Sequence, residues 1–211
     1  MDDKKAINKK KLIIVAVLSS FIFFTGFIIS SELSRSQMSE LSNMEEEIKL
    51  DVLSLETEYE LALDQPCQFI QLETLNKKLD ELGTKLSFME FKVSEDDAEF
   101  ENLKKYYSAL EIKHWLFTRK VQEECGSDMI AIAYFYSSKD CADCASQGRV
   151  LTYLKTDNPN IMVYSFDLAL DFGALNTFKK VYGINSAPSM IINDKTYTGL
   201  INSEDLSELM Y

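Results

Sequence analysis

The 211-residue sequence predicts an α/β domain of order β-α-β-α-β-β-α at its C-terminal end, preceded by a transmembrane helix and an α-helical coiled-coil hairpin. Three observations carry this fold class. Leu12 to Ile29 is an almost unbroken apolar run, and apolar residues at three-four spacing fill the chain from 37 to 121. From residue 127 onward, β-branched and aromatic runs alternate with helical patterns and turn signals. The resulting organisation is a basic tail at 1–11, an anchor at 12–31, a helical coiled-coil region at 32–126 and the α/β domain at 127–211.

The apolar run is interrupted only by Ser19, Ser20, Thr25 and Gly26. As a helix it extends about 27 Å, close to the hydrocarbon thickness of a bilayer. Lys4, Lys5, Lys9, Lys10 and Lys11 precede it, while Glu32 and then Glu45, Glu46 and Glu47 follow. The positive-inside rule therefore predicts a single-pass membrane protein with a cytoplasmic N-terminus and an extracytoplasmic remainder. A cleaved signal peptide is the competing reading. The run exceeds a usual signal core and no small-x-small pair ends it, which favours an uncleaved signal-anchor.

The chain holds 22 Lys and Arg against 34 Asp and Glu, a net charge of −12. Residues 1–12 contribute five lysines and two aspartates, so they carry +3 and the remainder −15. Such an acidic outer portion argues against nucleic acid and anionic lipid surfaces as partners.

Met38, Leu41, Met44, Ile48, Val52, Leu55 and Tyr59 form one stripe on a first helix, Gln37 to Leu63, which Asp64-Gln65-Pro66 stops because proline cannot continue the backbone ladder. Leu72, Leu75, Leu79, Leu82, Leu86 and Met89 alternate three and four, a coiled-coil seam on a second helix. Ser94, with Asp97 three residues on, is the expected N-cap of a third. That helix carries Phe100, Leu103, Tyr107, Leu110, His114, Phe117 and Val121 on one stripe. The second and third helices, joined by a short polar turn, are expected to fold back as an antiparallel hairpin.

The hairpin turn near Asp96 lies midway between Cys67 and Cys125, so folding back brings these two cysteines to one end of the helix pair. A structural disulfide is the inference, and such a bond persists only outside the reducing cytosol. Two unrelated free thiols are the alternative.

In the last 85 residues, Met129 to Tyr136 reads as a buried strand and Ala142 to Lys155 as a helix. Asp157-Asn158-Pro159-Asn160 is a turn, Ile161 to Phe166 a second strand, and Phe172 to Tyr182 a second helix closed by Gly183. Pro188 opens a third strand, Ser189 to Ile192. Asn193-Asp194-Lys195 turns into a fourth, Thr196 to Thr198, and Ser203 starts a short final helix.

The chemistry concentrates in Cys141-Ala142-Asp143-Cys144, directly after the first strand. Two cysteines at the start of a helix form a dithiol. The sulfur of Cys141 lies near unpaired backbone N–H groups and the positive end of the helix dipole, which favour the thiolate that performs disulfide exchange. Cys144, one turn further in, is placed to resolve the mixed disulfide that Cys141 forms.

The dithiol, Ser186-Ala187-Pro188-Ser189, the hairpin turn at Asn193-Asp194-Lys195 and Gly199 together resemble the thioredoxin-like fold family over about 85 residues. The resemblance implies a cis bond between Ala187 and Pro188 beside the dithiol, with the Ala187 backbone pairing to a bound substrate strand. It also implies catalytic roles for Cys141 and Cys144 and substrate-binding roles for Ala187 and Pro188. The sequence departs from the family where Asp140 replaces the usual Trp and Ala142-Asp143 the usual Gly-Pro. Phe135 stands at the approximate position of the family's buried acid, so proton transfer at Cys144 falls to water or to Asp143.

Other sites are poorly supported. Zinc needs four ligands, and Cys67, Cys125 and His114 belong to the helices, so no metal and no cofactor is expected. His114 is expected in the core beside Trp115. Glycine-rich phosphate loops, G-x-S-x-G elbows and HExxH patterns are not found in the sequence. The expectation is a thiol–disulfide oxidoreductase whose partners are protein thiols or disulfides and a redox partner. The alternative is a coiled-coil scaffold, self-associating or binding a partner, with a structural, slow or inactive thioredoxin-like domain.

Overall fold

The computed structural model describes residues 9–69, 73–90, 92–93 and 97–210. The basic tail up to residue 8, and Leu72, Ser94 and Asp96, to which a stripe position, a cap and a turn are assigned above, lie outside the described residues. The chain is mixed α/β and divides into two compact units, 1–46 and 47–211.

A single helix, α1, runs Lys9–Leu63. It is continuous from the anchor at 12–31 into the helix read from Gln37, because Glu32, Leu33, Ser34, Arg35 and Ser36 between them all tolerate helix and none is Pro or Gly. Within α1, Ile13–Ser30 is long and apolar enough to cross a membrane, and its side chains are exposed. A 3-10 turn follows at Pro66–Phe69.

Within the unit 47–211, the end of α1 packs with α2 (Glu73–Glu90) and α3 (Ala98–Cys125). Ile48, Val52, Leu55, Tyr59 and Ala62 are buried along α1, and Leu79, Leu82, Leu86 and Met89 along α2. Ion pairs set the directions. Lys78 meets Glu58 at 2.6 Å, and Lys85 meets Glu47 at 2.7 Å and Asp51 at 2.9 Å, so α2 runs antiparallel to α1. Lys113 pairs with Glu56 and Lys120 Nζ donates to the Leu63 carbonyl at 3.1 Å, so α3 runs parallel to α1. Exposed pairs of this kind contribute little energy each, and the buried stripes supply the stability.

The cap of α3 is Asp97 rather than Ser94. Its carboxylate accepts from the N–H groups of Glu99 and Phe100, both at 3.0 Å, while its own backbone is extended. The Asp97 side chain thus takes two orphan amides itself. Gly126 ends the helix with φ 66°, a left-handed conformation open to glycine.

The sheet comprises β1 (Ile130–Tyr136), β2 (Ile161–Asp167), β3 (Ser189–Ile192) and β4 (Lys195–Thr198), in the order β2-β1-β3-β4. β1 is parallel to β2 and antiparallel to β3, and β3 is antiparallel to β4. Asn193 and Asp194, at φ 47° and 65°, make the β3–β4 turn, so Lys195 belongs to β4 rather than to the turn. Three helices follow the strands: α4 (Cys144–Asp157), α5 (Gly173–Tyr182) and α6 (Ser203–Met210).

Alternation along β1 sends its residues to two cores. Ile130, Ile132 and Tyr134 pack with Leu151 and Leu154 of α4 and with Leu206 and Met210 of α6. Phe135 faces the other way, with its ring 5.3 Å from Phe166 and 5.4 Å from Phe178, and Phe178 lies 5.0 Å from Trp115 of α3. Helix α3 therefore covers one sheet face together with α5.

Helix α3 and the sheet thus lie within one compact unit, 47–211. The heptad stripe of α3 is buried as the pattern requires, except for a half-buried Tyr107. A second face bearing Ile112, Trp115 and Thr118 is buried as well, as only a helix packed on both sides can be. Coiled-coil spacing reports one face of a helix and is silent about the other.

Candidate functional site

All four cysteines are paired. Cys67 and Cys125 are bonded with their Cα atoms 5.4 Å apart, tying the turn after α1 to the last residue of α3. Cys141 and Cys144 form the second disulfide, also with Cα atoms 5.4 Å apart. Cys141 is half-buried and Cys144 is 6 % exposed. Cys141 is thus the more accessible residue of the pair.

Helix α4 begins at Cys144, with Asp143 as its N-cap residue, two residues later than the pattern suggested. Cys141 therefore sits in the turn before the helix. Asp143 makes no side-chain cap bond, so amides of the first turn remain directed toward the dithiol loop. The Tyr134 hydroxyl donates to the Cys144 carbonyl at 2.7 Å, fixing the start of α4 to β1. Burial pushes the Tyr134 phenol up to about 12, so it remains a donor.

Two further anchors hold the loop that leads to Cys141. The Ser137 hydroxyl accepts from the N–H groups of Lys139 at 3.3 Å and Asp140 at 3.4 Å. Ser138 donates to Asp167 Oδ2 at 3.0 Å, and Asp167 is itself 4 % exposed at the end of β2, where Oδ1 accepts from Ala169 N. Asp167 thus joins the exits of β1 and β2.

The Ala187–Pro188 bond is cis, with Ala187 half-buried and Pro188 buried. Ser189 pairs with Phe135, so the antiparallel register sets Pro188 level with Tyr136, at the end of β1 from which the dithiol loop departs. The dithiol and the proline lie at the same end of the two central strands. Gly199, at φ 95°, donates to the Pro188 carbonyl at 2.8 Å, and the Ser189 hydroxyl donates to the Ser186 carbonyl at 2.7 Å. Gln147 of α4, fully buried, accepts from Ile201 N at 2.8 Å and ties the chain after β4 to the dithiol helix.

A separate group of buried polar side chains lies between α3 and β2. Glu111 of α3 accepts from the Ser165 N–H at 3.2 Å on edge strand β2, and burial pushes its carboxyl up to about 8. His114 is fully buried between the rings of Tyr59 and Tyr164, at 5.1 and 5.3 Å, and burial pushes it down to about 3. It is a core histidine, as expected. Among the described residues, no group of three or more His, Cys, Asp or Glu gathers as a metal site.

Sequence reasoning marked the dithiol and the proline loop, but missed Tyr134, Gln147 and Asp167. Tyr134 and Gln147 carried no local signal, since each acts through a partner distant in sequence. Asp167 left a faint one: a carboxylate directly after the apolar run Ile161 to Phe166. Comparison with protein-family models and with curated proteins returned no match.

Proposed function

We propose that this chain is a membrane-anchored, extracytoplasmic thiol–disulfide oxidoreductase with a thioredoxin-like domain. The observation that carries the reading is the Cys141–Cys144 pair, one residue half-buried and one buried, at the end of the central strands that also bears the cis Ala187–Pro188 loop.

In the reducing direction, the Cys141 thiolate attacks one sulfur of a substrate disulfide. A bond forms between Cys141 and that sulfur, and the other substrate sulfur leaves as a thiolate. Cys144 then gives up its proton to water and attacks Cys141, so the first substrate sulfur departs as a second thiolate and the internal disulfide is restored. Two electrons pass from the dithiol to the substrate. The reverse sequence oxidises a substrate dithiol. Phe135, buried among aromatic rings, offers no proton, which leaves water and the exposed Asp143 beside Cys144.

Ala187 and Pro188 hold the substrate segment across the dithiol. The lysines before the apolar segment and the acidic residues after it support an outward-facing domain, and the Cys67–Cys125 bond suits an oxidising compartment. The scaffold alternative needs a free apolar stripe on α1. The stripe residues Ile48, Val52, Leu55 and Tyr59 are buried within the chain's own unit. What remains for that alternative is Leu50, Leu53, Leu61 and Leu63, which α1 exposes.

The test is trapping. With Cys144→Ser, Cys141 should accumulate mixed disulfides that run as adducts without reductant and collapse with it. Absence of adducts under conditions where the domain is folded would count against the reading.

A further inference from the structure

We infer that the groove beside the dithiol loop docks the substrate polypeptide, accepting a segment in which an apolar side chain is followed by a lysine or arginine. This inference rests on the exchange reading of Cys141 and Cys144.

The groove has a volume of about 390 Å³, within the range of built binding pockets. The end of α2 and the start of α3 form one wall, and the exits of β1 and β2 form the other. Its accessible apolar lining comes from Val93 and Ala169, beside the buried Phe100 and Leu170.

The charges around that lining are unequal. Glu90, Asp97, Glu101 and Asp167 line the groove together with Lys104 and Lys139, four carboxylates against two ammonium groups. Lys104 is engaged by Glu90 at 3.1 Å and Glu101 by Lys105 at 2.6 Å, so Asp97 and Asp167 stand against Lys139 as the unbalanced charges. A cation entering the groove therefore meets net negative charge, and the −12 of the whole chain acts in the same sense. An acidic segment is repelled.

The position relative to the dithiol makes this a substrate site rather than a remote one. Ser138 and Lys139 line the groove, and Lys139 precedes Cys141 by two residues. Two residues of chain reach at most about 7 Å. Ser138 is also bonded to Asp167, so the wall of the groove and the loop presenting Cys141 are one tethered piece. A polypeptide seated there carries its next residues past Cys141.

The test uses the full chain in detergent micelles, reduced beforehand, and two synthetic peptides that each hold one intrachain disulfide. The peptides differ only in Leu-Lys or Leu-Glu beside the first cysteine. The Leu-Lys peptide should be reduced about tenfold faster at low salt, with the advantage shrinking as salt screens the groove. Glu101→Lys should cut the advantage at least threefold, since it reverses one charge and releases Lys105 at an exposed position whose change leaves the core untouched. A small neutral disulfide reports the dithiol alone and should react equally with both proteins. Equal rates for the two peptides, with the small disulfide still reacting, would overturn the docking site and leave the exchange reading intact. If the small disulfide also fails to react, both fall.

Discussion

Breaking the Cys67–Cys125 bond should cost far more stability than breaking the dithiol. The two bonds close loops of very different length, with sequence separations of 58 and 3. Loop-closure entropy in the unfolded chain gives about 4.2 kcal/mol for the first and about 1.6 kcal/mol for the second at 25 °C. In the folded chain, the Cys67–Cys125 bond joins the end of the α1 segment to the end of α3, two elements that already pack through Tyr59, His114 and Phe117. The paired substitution Cys67→Ser/Cys125→Ser, which avoids a stray thiol, should therefore lower the free energy of unfolding by about 4 kcal/mol. Urea denaturation of the solubilised chain followed by circular dichroism measures it, with Cys141→Ser/Cys144→Ser as the comparison. A loss no greater than that of the comparison pair would refute the loop-entropy reasoning.

Glu111→Gln tests the buried carboxyl. Native Glu111 binds its proton up to about pH 8, whereas in the unfolded chain it releases it near 4.5. Between those values the folded state holds more protons, so native stability should fall by up to about 1.4 kcal/mol per pH unit relative to the Gln variant. Parallel urea titrations at pH 5, 6.5 and 8 would show it, and parallel curves would contradict it. Trp115→Ala removes a side chain only 1 % exposed and should cost about 3 to 5 kcal/mol, while Leu116→Ala, at 53 % exposure, should stay within about 0.5 kcal/mol. Asp167→Ala leaves Ser138 and Ala169 N without their acceptor, so it should slow exchange severalfold while costing about 1 to 3 kcal/mol of stability. Leu18→Arg and Phe23→Arg together should release the chain from membranes on alkaline extraction, because charge at the centre of an apolar span is costly.

Much of this molecule was legible because its signals are local. The strand and helix order after residue 127, the Gly183 cap and the Asn193 turn follow from residue types within a few positions of one another. The Cys67–Cys125 pairing followed from symmetry about a turn, a relation that needs only counting. Pairings set by packing were hidden. Nothing in the stripe of α3 announces that Trp115 reaches Phe178 on α5, or that Glu111 accepts from the free edge of β2. The second buried face of α3 is mixed in composition, with Thr118 and Glu111 beside Ile112, and that mixture obscured its role. At the candidate site the cysteines and the proline stood out by type, while Tyr134, Gln147 and Asp167 act through partners 10, 54 and 29 residues away.

The most direct measurement is the rate of disulfide exchange on a peptide substrate by the full solubilised chain, set beside its Cys141→Ser variant under identical conditions. The account predicts measurable exchange that the variant loses, with both proteins giving the same circular dichroism spectrum. Equal rates from the two folded proteins would contradict it, and the function would then have to be sought in the helices and the exposed leucines of α1.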